Sequence, residues 1–275
     1  RYFGFFSLTL AGLCLSITAV TCPAEKFVLS APDRVEDTAL WNREFSEWNF
    51  GNSPLLEVGS TAGLYEFHSS VSLIRFDLSG LECDKIEKAV LRLYKPNSFG
   101  QRYPVEVQVF EVAEGNAGWH EGSMEAAADP QGASWDFICP NTSWAGGPGL
   151  SIENKDYSTP ALDVKTAPSD LGIWLEFQIP SEIIQKWLDH PEWNAGLFIK
   201  TREQAKLGEH VHFYSSEHHT GNGPQLVLTG TPGPASTSRT SRPYNRRHIF
   251  PQEDDAQFLR WLDEANNRYT QWVHE

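Results

Sequence analysis

The chain has 275 residues, enough for one large all-β domain or two small ones, and 40% of them are hydrophobic, enough to bury a substantial core. Its formal net charge is −14, which at long range repels nucleic acid and anionic membranes and argues against either as a partner. Methionine occurs once, against 10 tryptophans and 16 phenylalanines, a composition that suits sheets, close aromatic packing and sugar-binding surfaces alike.

Residues 1–24 read as a signal peptide. Residues 5–20 carry no charge and are dominated by Leu, Phe, Ala, Ile and Val, and small residues then lead into Glu25-Lys26. The protein is therefore expected to be secreted, with no membrane contact beyond this segment. The run is short for a membrane span. The chain starts at Arg1 and not at Met, so residues upstream are expected. Cys14 falls inside the export segment, and the residues before Cys22 fit a lipoprotein cleavage sequence poorly.

Residues 25–231 form the main domain. Short runs alternate with period two between Gly, Pro, Asn and Asp. In SLIRFDL (72–78), Ile74, Phe76 and Leu78 point inward and Arg75 and Asp77 outward. In VEVQVFEV (105–112), Val105, Val107 and Val109 share one face. In WLEFQI (174–179), Leu175, Phe177 and Ile179 alternate with Glu176 and Gln178. In HVHFYSS (210–216), Val211 and Phe213 alternate with His210, His212 and Tyr214. KFVLSA, AVLRLY, GLFIK and QLVLTG are further strands. Many half-buried strands with few helices between them predict an all-β fold, a two-sheet antiparallel β-sandwich.

One short helix interrupts the strands. In PSEIIQKWLDH (180–190), Ser181 is placed to cap the start, and Ile183, Ile184, Trp187 and Leu188 make an apolar face that closes one end of the sandwich. The stretch 114–158 is rich in Gly, Ala and Pro and reads as a long loop or insertion. Residues 232–250 form a flexible basic linker carrying Arg239, Arg242, Arg246 and Arg247. Residues 251–275 form a C-terminal amphipathic helix, with Phe258, Trp261, Leu262, Ala265, Tyr269 and Trp272 on its apolar stripe.

The chemistry-bearing residues point to binding more than to catalysis. There is no Gly-x-Ser-x-Gly, no His-Glu-x-x-His and no phosphate loop. Trp119-His120-Glu121 offers an acid–base pair only on paper. A sugar site needs aromatic faces and planar polar groups, and a uronate adds a demand for Arg or Lys. Arg75, Arg92 and Tyr94 sit on outward positions. Lys200, Arg202, His210, His212 and Tyr214 join them if their strands share one sheet. The competing reading is a solvated sheet face with cross-strand ion pairs. His210 and His212, two apart on a strand with Glu217, His218 and His219 near, have the spacing to approach a metal, but a polar strand leading into a turn is the preferred reading of them. No metal site and no cofactor are assigned. Cys83 and Cys139 either form a disulfide or stand as two thiols.

Ordered across the domain, EDTALWNREFSEWNFGNSPLLEVGS, SSVSLIRFDLSGL, IEKAVLRLYK and HFYSSEHHTGNGPQLVLTG resemble the DNRLRE domain, also classed as carbohydrate-binding module family 96. The matching positions run from Asp37 to Leu228 and include Trp119, Glu121, Trp187, Gly196, Lys200 and Glu217. The resemblance implies a jelly-roll-like sandwich in secreted bacterial proteins, often attached to polysaccharide-degrading enzymes, with some members binding alginate or related acidic glycans. In that pattern Trp119 and Glu121 look structural. The architecture also admits a structural calcium, with Asp37 as one ligand, although no dedicated calcium loop is present. Residues 116–157 are longer than the family pattern, and the domain is strongly acidic. The leading expectation is a non-catalytic module whose partner is a polysaccharide, with acidic glycans among the candidates. A structural or adhesive cell-surface sandwich that binds protein comes second, and a polysaccharide lyase or hydrolase third. The oligomeric state is not set by the sequence.

Overall fold

The computed structural model describes residues 23–62, 67–96, 101, 103–169, 172–202 and 209–233. The export segment up to residue 22, most of the basic linker and the C-terminal helix lie outside the described residues.

Among the described residues, thirteen strands and one α-helix follow one another. They are β1 (Glu25–Ser30), β2 (Val35–Trp41), β3 (Leu55–Ala62), β4 (Phe67–Phe76), β5 (Cys83–Lys95), β6 (Val105–Glu111), β7 (Phe137–Cys139), β8 (Thr142–Ser143), β9 (Asp163–Ala167), β10 (Ile173–Ile179), α1 (Ser181–Asp189), β11 (Leu197–Thr201), β12 (His210–Tyr214) and β13 (Gln225–Pro232). One sheet has four strands in the order β1-β13-β5-β10. The other has seven, in the order β12-β3-β4-β11-β6-β9, with β2 also on β4. Every pairing in both sheets is antiparallel. The fold is the all-β sandwich that the alternation predicts.

The period-two runs meet between the sheets. Leu29, Leu91, Leu93, Leu175, Phe177, Leu226 and Leu228 from the smaller sheet pack on Ile74, Phe76, Val105, Val107, Val109, Leu197, Ile199, Val211 and Phe213 from the larger one. Helix α1 adds Ile184, Trp187 and Leu188 to that core. It is pinned at β5, where the Ile86 amide donates to Gln185 Oε1 at 2.8 Å, and at β6, where the Trp187 indole donates to Glu111 at 3.2 Å. Ser181 does not cap it. Pro180 holds the cap position and no side-chain cap bond forms, so tertiary burial and not capping holds this short helix.

The stretch 114–158 is an ordered cover and not a loose loop. Trp119, Ala133, Ile138, Trp144, Leu150 and Tyr157 pack on Leu40, Val71, Leu73, Phe110 and Phe198, forming a second core on the outer face of the seven-stranded sheet. Polar anchors hold it down. Asn49 Nδ2 donates to the carbonyls of Glu121 and Ala133, at 2.6 and 2.9 Å, and its Oδ1 accepts from the Gly51 and Met124 amides. Buried Asp156 gathers the Gly146 and Ile152 amides and the Asn116 side chain. Each saturates polar groups that burial would otherwise leave unpaired. The Asn49-Phe50-Gly51 turn is thus the clamp of the cover, and a Cβ at Gly51 would stand 2.0 Å from the Glu121 carbonyl.

Strand β3 changes partner part-way, pairing with β12 through Leu55–Gly59 and with β4 through Gly59–Ala62. Gly59 sits at the change with φ +122°, and a Cβ there would lie 2.2 Å from the Glu209 carbonyl oxygen and 2.6 Å from His210 Cα. Both the positive φ and the contact demand glycine. Gly59→Ala is expected to lower unfolding stability by about 2 kcal/mol or more, read by denaturant melts. An unchanged midpoint would show that β3 turns without needing this geometry.

Candidate functional site

The cover leaves the two sandwich faces unequal. The outer face of the seven-stranded sheet is packed, whereas the outward positions of the four-stranded sheet fall into cross-strand rows. Lys26, Thr229 and Lys88 form one row, and Val28, Val227, Val90 and Gln178 the next. Ser30, Gln225, Arg92 and Glu176 form a third, and Tyr94 and Trp174 a fourth. Residues 27, 29, 89, 91, 93, 175 and 177 point the other way, into the core, as strand alternation requires. Lys26, Lys88, Glu176 and Gln178 are exposed, and Val28 is half exposed.

Arg92 is the hub of this face. Its Nε donates to Glu176 at 3.0 Å, its Nη1 donates to Gln225 at 2.9 Å, and its guanidinium lies 4.5 Å over the Trp174 ring. Trp174 meets Tyr94 edge-on at 5.3 Å. Tyr94 stacks on Tyr214 at 5.2 Å, Tyr214 on His218 and His218 on His219. A rail of rings therefore runs from the open face to the turn after β12. Such edge-to-face and offset contacts fix ring orientation before any ligand arrives.

Residues 31–137 match the family model described as carbohydrate-binding module family 96. Over this span the chain resembles a carbohydrate-binding module of that family. No curated protein matches the chain. The matched span runs from β2 into β7 and so includes Arg92 and Tyr94. Trp174, Tyr214 and His218 lie beyond it, on elements that complete the same sandwich.

Within the sandwich, the eight residues singled out from the sequence divide among separate places. Arg92, Tyr94 and Tyr214 come together at the rail. Arg75 does not join them. It lies on β4 of the other sheet, where its guanidinium donates to Glu36 and to the carbonyls of Ala117 and Trp119, the latter two at 2.9 Å, and rests over the Trp119 ring. Lys200 on β11 donates to the Tyr157 hydroxyl at 2.8 Å and lies over the Tyr157 and Phe110 rings. These two outward cations hold the cover. Arg202 is exposed and pairs with Glu209 at 3.6 Å, at a shallow cavity of about 140 Å³ that Thr166 and Glu106 also line. One groove of all eight on a single sheet therefore does not form. The rail also draws on Trp174, Gln225 and His218, and the open face on Lys26 and Lys88. The alternation of KFVLSA and AVLRLY already places the two lysines outward. Their convergence needs the strand order.

His210 and His212 gather with His68 around Glu57. Nε2 of His212 and of His68 lie 3.4 and 3.8 Å from the Glu57 carboxylate, and the rings of His210 and His212 are 5.3 Å apart. Burial alone would push the Glu57 carboxyl up. The hydrogen bond with His212, with the charges of His212, His68 and His210, outweighs it and holds the group far below the ordinary glutamate range. Elsewhere, carboxylate oxygens of Asp37, Glu121 and Glu217 lie within 4.8 Å of one another. Among the described residues this is the group spaced to share one hard cation, and it includes the Asp37 named above. Glu121 also accepts from the Asp37 amide at 2.9 Å and from the Ser216 hydroxyl at 3.2 Å, and Trp119 is fully buried with its indole on the Ala195 carbonyl. His120 is exposed. Cys83 and Cys139 are free thiols.

Two outcomes follow for stability. Arg75→Ala strips the cover of its staple and is expected to cost about 2–4 kcal/mol, because it leaves Glu36 and two carbonyls without their donor. A denaturant melt unchanged within error would sever Arg75 from the cover. Glu57 has a depressed folded pKa, so its contribution is complete above the unfolded value near 4.3 and is lost as pH falls through the folded one. The stability difference between wild type and Glu57→Gln should therefore stay level from pH 7 to about 5 and shrink only below about pH 4. A difference that already shrinks between pH 7 and 5 would contradict the depressed value.

Proposed function

We propose that this domain is a non-catalytic module of an exported protein and that it binds an acidic polysaccharide on the open face of its four-stranded sheet. The observation that carries this reading is the set of cations Lys26, Lys88 and Arg92 on the rows of one uncovered face in a chain of net charge −14, with Glu176 beside Arg92 and Glu87 beside Lys88 at the β5 bulge as the acids they outnumber. A local cationic face on an acidic protein selects an anionic ligand and excludes general attraction. Trp174 and the rail supply apolar ring surface and hydroxyl edges beside the cations, the pairing that a uronate sugar requires. The match to a carbohydrate-binding family and the uncharged run at residues 5–20 support the glycan and the export, respectively.

Arg92 is shared between Glu176 and any incoming carboxylate. Removing the competing acid frees the guanidinium. Glu176→Gln should thus strengthen retardation by acidic polysaccharides about threefold, the scale of an exposed ion pair, and leave neutral ones unaffected. Trp174→Ala should weaken it about tenfold at unchanged melting temperature. Affinity electrophoresis on a panel of acidic and neutral polysaccharides reads both. If no glycan retards the folded wild-type domain, the binding reading falls. Product release from the same panel would make the protein an enzyme instead.

A further inference from the structure

We infer that the open face reads an extended run of uronate residues lying along the strands, with carboxylates held at two separate stations: Arg92 at one and the Lys26–Lys88 pair at the other. This rests on the acidic-glycan reading above and adds a length requirement and an orientation to it.

Lys88 and Arg92 are on the same strand and the same face, with Val90 between them. Four residues of extended strand place them about 13 Å apart. Lys26 and Lys88 flank Thr229 across two strand spacings, about 10 Å. Between the stations the face is apolar: Val28, Val227 and Val90 stand side by side. A single sugar acid can therefore reach one station only. A chain laid across the strands at the Arg92 row would run onto Glu176, whose exposed carboxylate repels it. A chain laid along β5 meets Trp174 and Tyr94, then Arg92, then the valines, then the lysine pair, and the first acid on that path is Glu87 at the bulge beyond Lys88.

Each station alone is solvent-exposed and weak. Joining two weak contacts in one ligand makes the second intramolecular, so affinity should step up once the ligand spans both. Val28, half exposed, and Val227, partly exposed, give the intervening rings apolar surface, while Val90 is itself buried.

The test is an oligouronate series from one to about eight residues, titrated by calorimetry into the intact protein and its Lys88→Gln and Arg92→Gln variants. Melting temperatures confirm folding of each. Expected is weak binding of the shortest members, a gain of about tenfold or more once the chain spans the stations, and loss of that gain in Lys88→Gln, with the shortest members unaffected by this change. Arg92→Gln should weaken short and long members alike. If affinity is flat with length, or if Lys88→Gln weakens short and long members equally, the two-station inference is wrong while the acidic-glycan reading stands. If no oligouronate of any length binds and no acidic polymer retards the protein, both fall together.

Discussion

A single arginine decides which side of this sandwich can meet a ligand. Arg75 leaves the outer face of β4 and spends four of its five N–H donors on Glu36 and the carbonyls of Ala117 and Trp119, with its plane against the Trp119 ring. Such a planar fork holds backbone and carboxylate at once in a way a lysine could not. Trp119 then fills the second core, and residues 114–158 close over the larger sheet. With the centre of one face covered, the four-stranded sheet keeps the more open surface.

The same cation chemistry serves two ends. Lys200 and Arg75 are satisfied within the protein by a phenol, carbonyls, a carboxylate and aromatic rings, so their charge is already answered. Lys26 and Lys88 face water, and Arg92 is held at the surface by Glu176, Gln225 and the Trp174 ring. An anion can compete for the second group without breaking the fold. Burial and partner identity, and not residue type, separate structural cations from recognition cations.

The cover also explains residues that look like site chemistry and are packing. Glu121 receives a backbone amide and a serine hydroxyl beside Asp37, and Trp119 donates to the Ala195 carbonyl. His210 and His212 close on Glu57 and not on a ligand-facing groove. Glu121, Trp119 and His212 each meet a protein partner locally, as buried polar groups tend to.

Much was legible in the chain. Alternation alone sorted Ile74, Phe76, Leu175, Phe177, Val211 and Phe213 to the core side and Arg75, Arg92, Glu176 and Tyr214 to the other, because a pleated strand leaves no third direction. The ordered motifs pointed to the family that residues 31–137 match. What the sequence could not state is which outward positions share a face and whether that face is open. That depends on β5 lying between β13 and β10, and on an irregular stretch of Gly, Ala and Pro folding back over the opposite sheet. Strand order and cover come from long-range packing, to which local periodicity is blind. Arg75 and Arg92, alike as outward arginines in the sequence, therefore have opposite fates in the fold.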